Sequence, residues 1–280
     1  MTYYPSTLAT QDGLSLHFSR WEPDGAPRAV VYLVHGLGEH AGRYAHVAEA
    51  LNRAGFAFWG IDLRGHGRSE GPRGHAPSLE RLLDDISLMI QANSRIGSAF
   101  LYGHSLGGAL ALHFGRLRPE GLTGVVVSGA WLRLRFAPPR YKLILARILP
   151  KFAPKLALAS GLDVKALSRD GSVVEAYVND PLVHDRITAQ LGAIMIALAD
   201  DLMSHPESFR LPLLMMHGEL DGLTDPNAAH EYFDGVGSLD KTLQIWPGQF
   251  HEVHNEPEQS EVIDRIISWL EAHLEPVPTR

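Results

Sequence analysis

The chain has 280 residues, of which 45% are hydrophobic and 20% are charged, an ordinary composition for a soluble globular protein. Its formal net charge of −7 argues against a nucleic-acid-binding protein. The absence of cysteine excludes disulfides, thiolate metal sites and a cysteine nucleophile. This length suits one large domain with room for an insertion.

Apolar runs bounded by turn residues predict strands that alternate with helices. The predicted strands are Ser6–Ala9, Leu16–Trp21, Ala29–Val34, Phe56–Ile61, Ala99–Tyr102, Val125–Val127, Leu211–His217 and Thr242–Trp246. The predicted helices are Tyr44–Ala54, Leu79–Ile90, a helix starting at Ala109, Asp225–Phe233 and Pro257–His273, the last two opening with an acidic cap or a proline. This alternation predicts an α/β protein with a doubly wound, mostly parallel sheet of about eight strands and helices on both faces.

One connection is too long for this alternation. About eighty residues separate the strand that ends near Ala130 from the strand that starts at Leu211, far more than such a connection requires. Helical patterns at Tyr141–Leu149 and Ile187–Leu202 lie within it, interrupted by prolines. The sequence therefore predicts a helical cap over residues 131–208, inserted into a core formed by residues 1–130 and 209–280.

The clearest chemical signal is Gly103-His104-Ser105-Leu106-Gly107, which fits the pattern Gly-x-Ser-x-Gly. A strand precedes the pattern and a helix follows it, so the turn must be tight and its serine strained. Such a turn exposes Ser105 Oγ at the carboxyl end of the strand as a nucleophile. The alternative is a glycine-rich turn with an incidental serine.

A serine of this type needs a carboxylate that lies just beyond a later strand. Asp221 follows the predicted strand Leu211–His217 and is the best candidate. Glu219 and Asp225 are rivals, but Glu219 lies in the turn itself. Asp225 precedes Pro226 and is explained by capping the next helix.

The base should lie on the loop after the last strand, where His251 is found and His254 follows as a rival. Among the other histidines, His217 and His113 are expected to be packed core residues, and His35 is expected to brace the loop that follows it.

These residues predict acyl transfer to water through a covalent intermediate. The oxyanion would be held by the backbone N–H groups of Leu37 and Leu106, since Gly36 and Gly38 let the first loop approach the substrate closely. Taken alone, the two glycines could equally serve as flexible loop residues. This chemistry requires no cofactor and no metal, and the sequence predicts neither.

Taken together, these motifs resemble the monoacylglycerol lipase and lysophospholipase branch of the α/β-hydrolases. The resemblance rests on six stretches in order along the chain: His35–Tyr44, Asp62–Gly71, Gly103–Gly108, Asn179–Leu182, Gly218–Asp221 and His251–His254. It implies the α/β-hydrolase fold and the hydrolysis of monoacylglycerols to fatty acid and glycerol. Other acyl esters, as for a carboxylesterase or lysophospholipase, remain the alternative.

The resemblance also implies roles for individual residues. Ser105, Asp221 and His251 would form the catalytic triad, with the amides of Leu37 and Leu106 as the oxyanion hole. Four further residues fall at or near positions that hold the glycerol head group, namely Glu39, Arg43, His254 and Tyr177. Without the resemblance, Glu39 and Arg43 are equally explained as a solvated pair at a helix start.

The predicted cap has an uneven charge. Residues 121–162 contain seven basic residues and no acidic residue, interleaved with large apolar side chains. This pattern predicts that the cap contacts a membrane or micelle surface transiently. The alternative is that several of these bases pair with acids of the core. Residues 1–13 lack the features of a signal peptide, so a cytoplasmic protein, peripheral at membranes, is expected.

Overall fold

The computed structural model describes residues 1–93, 97–136 and 148–274. Its centre is an eight-stranded sheet in the order β1 (Thr2–Ala9), β2 (Ser15–Glu22), β4 (Phe56–Ile61), β3 (Ala29–Val34), β5 (Ala99–His104), β6 (Gly124–Ser128), β9 (Leu213–Gly218) and β10 (Lys241–Trp246). Strand β2 runs antiparallel to β1 and β4, and the other neighbouring strands are parallel. The predicted α/β-hydrolase fold with a mostly parallel sheet is confirmed.

Every residue of β3, β4, β5, β6 and β9 is buried. Helices cover both faces of a parallel sheet, which is why these strands are continuous apolar runs rather than alternating ones.

The helices are α1 Ala45–Arg53, α2 Leu79–Gln91, α3 Leu106–Leu117, α4 Gly171–Asn179, α5 Ala189–Ser204, α6 Pro226–Gly235 and α7 Gln259–Ala272. Short 3₁₀ turns lie at Ala41–Tyr44, Val164–Ala166, Pro206–Ser208 and Val253–Asn255. Side chains of Ser78, Thr188 and Asp225 accept hydrogen bonds from the first turns of α2, α5 and α6, so each of these helices begins at a polar cap.

Two apolar clusters hold the layers together. On one face of the sheet, side chains of α2, α3, α5 and α6 form the larger cluster. On the other face, α1 and α7 pack against the sheet. The sheet therefore lies between two helical layers, and the carboxyl ends of its parallel strands meet at one edge.

Most predicted boundaries agree with the structure to within two or three residues. The edge hairpin is longer than expected, because β1 and β2 pair from Thr2 with Glu22 to Ala9 with Ser15. The prediction of a proline in the first turn of the last helix is wrong. Helix α7 begins at Gln259, and no side chain caps it.

The inserted region consists of short elements. Strands β7 Ala157–Ala159 and β8 Arg186–Thr188 form a small antiparallel pair. Helix α5, which the prediction placed in the cap, packs on α3, and its apolar side chains belong to the larger core cluster. This helix of the inserted region therefore packs directly against the core, and the bounds of the predicted cap stay a prediction. Residues 141–147 of one predicted cap helix lie outside the described residues.

The basic residues of this region differ in their surroundings. Arg133 pairs with Asp225 and Glu231, and Arg135 pairs with Asp225. For these two bases, pairing with acids of the core is the correct interpretation. Among the described residues, no helix is long and apolar enough to cross a membrane.

Candidate active site

Ser105 lies in a tight turn between β5 and α3. Its φ of 53° is the only positive value of a non-glycine residue in the described part of the chain. A Cβ at Gly103 would lie 2.2 Å from the Gly107 carbonyl oxygen, and a Cβ at Gly107 would lie 1.9 Å from that of Val34. Both glycines are thus required by close packing of the backbone, and the strain at Ser105 is held by the elements on either side.

The loop after β3 lies directly against the serine. A Cβ at Gly36 would be 3.3 Å from Ser105 Cβ. Gly38 has a positive φ of 80°, and a Cβ there would lie 2.4 Å from the His184 carbonyl oxygen. Neither Leu37 nor Leu106 donates its backbone N–H to an acceptor within the described ranges. Two free donors beside a strained serine are the arrangement that an oxyanion requires.

His35 braces this loop, as predicted. Its Nδ1 bonds to Gly36 O at 2.7 Å, and its Nε2 accepts from the backbone N–H of Leu63 at 2.8 Å. Burial lowers the pKa of His35, so the ring is held neutral and keeps one donor and one acceptor nitrogen.

Asp221 lies in the turn after β9 and is almost fully buried. Its Oδ1 accepts from the backbone N–H groups of Leu223 and Thr224 at 2.8 and 3.0 Å. Its Oδ2 lies 2.7 Å from His251 Nδ1. Burial alone would raise the pKa of Asp221, but the rings of His251 and His217 hold it well below its ordinary value. The group is therefore an ionised acceptor, which orients the imidazole with its proton on Nδ1.

Two further side chains contact the same carboxylate oxygen, and sequence reasoning missed both. Thr224 Oγ1 donates to Asp221 Oδ2 at 2.8 Å, and His217 Nε2 lies 3.0 Å from it. His217 is buried, as expected, but it is a partner of Asp221 rather than a packed core residue. Its spacing of four residues from Asp221 across the end of β9 is the one signal that could have revealed it.

His251 lies on the loop after β10 and is buried. Its ring is 4.7 Å from that of His104, and its backbone N–H donates to Ala166 O at 3.3 Å. Burial alone would lower the pKa of His251, but the carboxylates of Asp221, Glu252 and Glu39 raise it, and the net direction is upward. A base of this kind becomes active as the pH rises through its pKa.

Ser105 and His251 line the same cleft. Asp221 lies behind His251, outside this lining. The apolar part of the wall is formed by Leu37, Trp131, Leu162, Leu167 and Leu223, and the polar part includes Glu39, Tyr177, Thr224 and Glu252.

Of the residues that the resemblance places at the glycerol head group, Glu39 and Tyr177 line the cleft, but Arg43 and His254 do not. Arg43 is buried between carboxylates. His254 is fully buried and stacks on Tyr44 with ring centroids 4.7 Å apart. Burial lowers the pKa of His254 to about 3, so this ring is neutral. The structure places both behind the wall.

The three rivals of the proposed triad have other surroundings. Glu219 is exposed and accepts from the backbone N–H of Gly248 at 2.9 Å. Asp225 caps α6, as the sequence predicts, and pairs with Arg133. His254 has no hydrogen-bond partner on either ring nitrogen among the described residues. The arrangement of a strained serine, a buried histidine and a buried aspartate on this fold defines the class of serine hydrolases with the α/β-hydrolase fold.

Comparisons with known proteins agree with this class. A family model described as serine aminopeptidase, S33, matches residues 25–258. A monoacylglycerol lipase of Mycolicibacterium smegmatis is 36% identical over 272 residues, which cover 96% of this chain and 97% of that protein. An uncharacterized abhydrolase domain-containing protein of Dictyostelium discoideum is also 36% identical over 277 residues, 98% of this chain, and the match covers 30% of its length.

A solved structure gives the same result. The crystal structure of Paleococcus ferrophilus monoacylglycerol lipase superposes with a TM-score of 0.84 at 35% identity, covering 98% of this chain and all of that one. The chain therefore belongs to the S33 serine aminopeptidase family of α/β-hydrolases and, within it, to the branch that includes the monoacylglycerol lipases.

Proposed function

We propose that this protein hydrolyses the ester bond of monoacylglycerols and releases a free fatty acid and glycerol. The observation that carries the proposal is the cleft that Ser105 and His251 share, with Asp221 bonded to His251 Nδ1 at 2.7 Å. The near-full-length similarity to a monoacylglycerol lipase supports the choice of substrate.

In the proposed first step, Ser105 Oγ attacks the ester carbonyl carbon and its proton passes to His251 Nε2, the ring nitrogen that Asp221 leaves free. The carbonyl oxygen becomes an oxyanion between the N–H groups of Leu37 and Leu106. When the tetrahedral intermediate collapses, the bond to the glycerol oxygen breaks. That oxygen takes the proton from His251, and the acyl group stays on Ser105.

In the second step a water molecule gives a proton to His251 and attacks the acyl-enzyme. The bond between the acyl carbon and Ser105 Oγ breaks, the serine recovers its proton from His251, and the fatty acid leaves. Ionised Asp221 stabilises the imidazolium in both steps. No metal or cofactor enters the sequence of steps.

The polar wall suits the alcohol half of the substrate. Glu39 and Tyr177 line the cleft, and both can bond hydroxyl groups of glycerol. The leucine-rich wall suits the acyl half, since an alkyl chain gains free energy by leaving water. We assign Arg43 and His254, which lie behind the wall, no direct contact with glycerol.

The cap supports a further part of the proposal, transient contact with a membrane or micelle surface. Phe136 and Phe152 are 77% and 81% exposed, and the apolar side chains of Ile148 and Leu156 are also exposed. Lys151 and Lys155 lie among them in the sequence. A segment that combines exposed apolar and basic side chains suits an anionic lipid surface. The bases Arg140, Lys142 and Arg147 lie outside the described residues.

A substrate panel tests the proposed function. We expect the highest kcat/KM on monoacylglycerols of about C8 to C18, with lower values on a lysophospholipid, diacylglycerols, triacylglycerols and short p-nitrophenyl esters. The variant S105A measured in parallel gives the background. If short esters or the lysophospholipid were hydrolysed faster than monoacylglycerols, the proposed substrate would be wrong and the faster ester would take its place. Faster hydrolysis of aminoacyl amides would identify a peptidase.

A further inference from the structure

One buried guanidinium joins the two loops on either side of the cleft. Arg43 Nη1 donates to Glu39 Oε2 at 2.6 Å, and Nη1 and Nη2 donate to the two carboxylate oxygens of Glu252 at 2.7 Å each. The side chains of Arg43, Glu39 and Glu252 are 9%, 3% and 2% exposed. We call these three residues the Arg43 clamp.

At one end, the clamp holds the loop that carries the proposed oxyanion donor. Glu39 Oε1 accepts from the backbone N–H of Gly36 at 2.6 Å and from Tyr44 OH at 2.8 Å. Gly36 directly precedes Leu37. A shift of the Glu39 carboxylate would therefore move the peptide that positions the Leu37 amide.

At the other end, the clamp holds the loop that carries the proposed base. Glu252 directly follows His251, and its carboxylate also accepts from Asn255 Nδ2 at 2.7 Å. The guanidinium carbon of Arg43 lies 4.7 Å from the centre of the Tyr177 ring, so the cap also contacts the clamp. Two loops more than two hundred residues apart in the chain thus meet at a single side chain.

We propose that Arg43, through Glu39 and Glu252, fixes the position of the oxyanion amide of Leu37 relative to the imidazole of His251. Arg43 and Glu252 are then positioning residues, which act on the reaction through the loops they hold. The proposal rests on the proposed hydrolysis at Ser105, but it does not depend on which ester is the substrate.

The geometry of the clamp favours positioning over other roles. A guanidinium that bonds both oxygens of a carboxylate fixes angle as well as distance, which a single ammonium cannot do. A buried ion pair is weak evidence for stability alone, since apolar residues of similar volume often replace it without loss. Arg43 does not line the cleft, so direct substrate binding does not explain it.

The clamp also gives a signature that a purely structural role would lack. Its two carboxylates, Glu252 and Glu39, raise the pKa of His251 in addition to Asp221, while burial lowers that pKa. The other titratable rings that face His251 are His104 and His254, and both have pKa values lowered mainly by burial. Removing the charge of Glu252 therefore lowers the pKa of His251.

The test is the pH dependence of p-nitrophenyl butyrate hydrolysis by E252Q and E252D. For E252Q we expect kcat to fall about 10- to 100-fold with KM within about threefold, because loop misplacement acts on the chemical step. Since the base is active above its pKa, the acid limb of kcat/KM should move to lower pH. E252D keeps the charge but shortens the side chain, so its kcat should fall while the acid limb stays in place.

A double-mutant cycle tests the coupling through Arg43. If Glu39 and Glu252 act through the same guanidinium, E39Q/E252Q should lose about as much activity as the worse single variant. The control is D85N, which breaks another buried pair, where Arg64 bonds both oxygens of Asp85 at 2.6 and 2.7 Å. D85N should keep the kcat and the pH profile of the unmodified protein.

Three results would overturn the proposal: an E252Q kcat within about twofold of the unmodified protein or of D85N, a loss confined to KM, or multiplicative losses in E39Q/E252Q. If the unmodified protein hydrolysed no ester, the proposed function would fail by itself. The rate at which a fluorophosphonate labels Ser105 would then replace kcat and would still show whether the clamp positions the site.

Discussion

At the scale of single residues, the choice of Asp221 illustrates what position along the chain can predict. Three carboxylates follow β9, and only Asp221 lies within hydrogen-bond distance of His251. The sequence could rank them because a proline after Asp225 marks a helix cap, and the cap is present in the structure. The role of Asp221 in catalysis remains our proposal.

The partners of these residues could not be predicted in the same way. Thr224, His217 and Glu252 meet the site through tertiary folding, and the sequence analysis assigned none of them a chemical role. His254 shows the reverse case. The resemblance places it at glycerol, but in the structure it stacks on Tyr44 and is cut off from the cleft. A shared motif specifies neighbours along the chain, whereas exposure to the cleft depends on packing.

At the scale of elements, the strands were predicted best. Ala29–Val34 and Phe56–Ile61 match β3 and β4 without any shift, because a fully buried strand is a run of apolar residues with sharp ends. The packing partner of helix α5 could not be predicted for a related reason. The helix is apolar on several sides, so periodicity does not show which neighbour it packs against.

The surface of the cap leads to a prediction at this scale. Because Phe136 and Phe152 are largely exposed, F136S/F152S should bind neutral and anionic vesicles several-fold less than the unmodified protein. K151Q/K155Q should lose binding only to anionic vesicles and only at low salt, since each lysine adds at most about 1 kcal/mol there. Co-sedimentation measures both effects.

The matched control for the vesicle experiment is L239S. Leu239 is fully exposed but lies between α6 and β10, outside the cap. The L239S variant should bind vesicles as the unmodified protein does. If F136S/F152S bound vesicles as well as L239S does, the proposed contact between the cap and lipid would be refuted.

For the whole molecule, buried neutral histidines determine how stability depends on pH. The pKa values of His66 and His104 lie well below the ordinary range because of burial, and that of His254 is lowered to about 3 by the same cause. In the unfolded chain each ring titrates near 6.5. Below that pH the unfolded state binds more protons, so the free energy of unfolding falls as the pH falls.

We therefore expect the protein to lose stability between pH 7 and pH 5. Each fully buried ring contributes up to about 2 kcal/mol over this interval, and the three together lower the Tm by about 10 °C. His251 acts in the opposite direction, because its raised pKa favours the folded state at low pH, but it is a single group. Calorimetry across this interval is the measurement, and a Tm that stays constant or rises would refute the expectation.

The central claim is that Ser105 is the nucleophile of an ester hydrolase. The most direct measurement is labelling with a fluorophosphonate, followed by mass spectrometry of the peptides. We expect one adduct, on Ser105, which grows in proportion to the loss of monoacylglycerol hydrolysis, and neither adduct nor hydrolysis in S105A. An adduct on another residue, or hydrolysis by S105A within about tenfold of the unmodified protein, would contradict the claim.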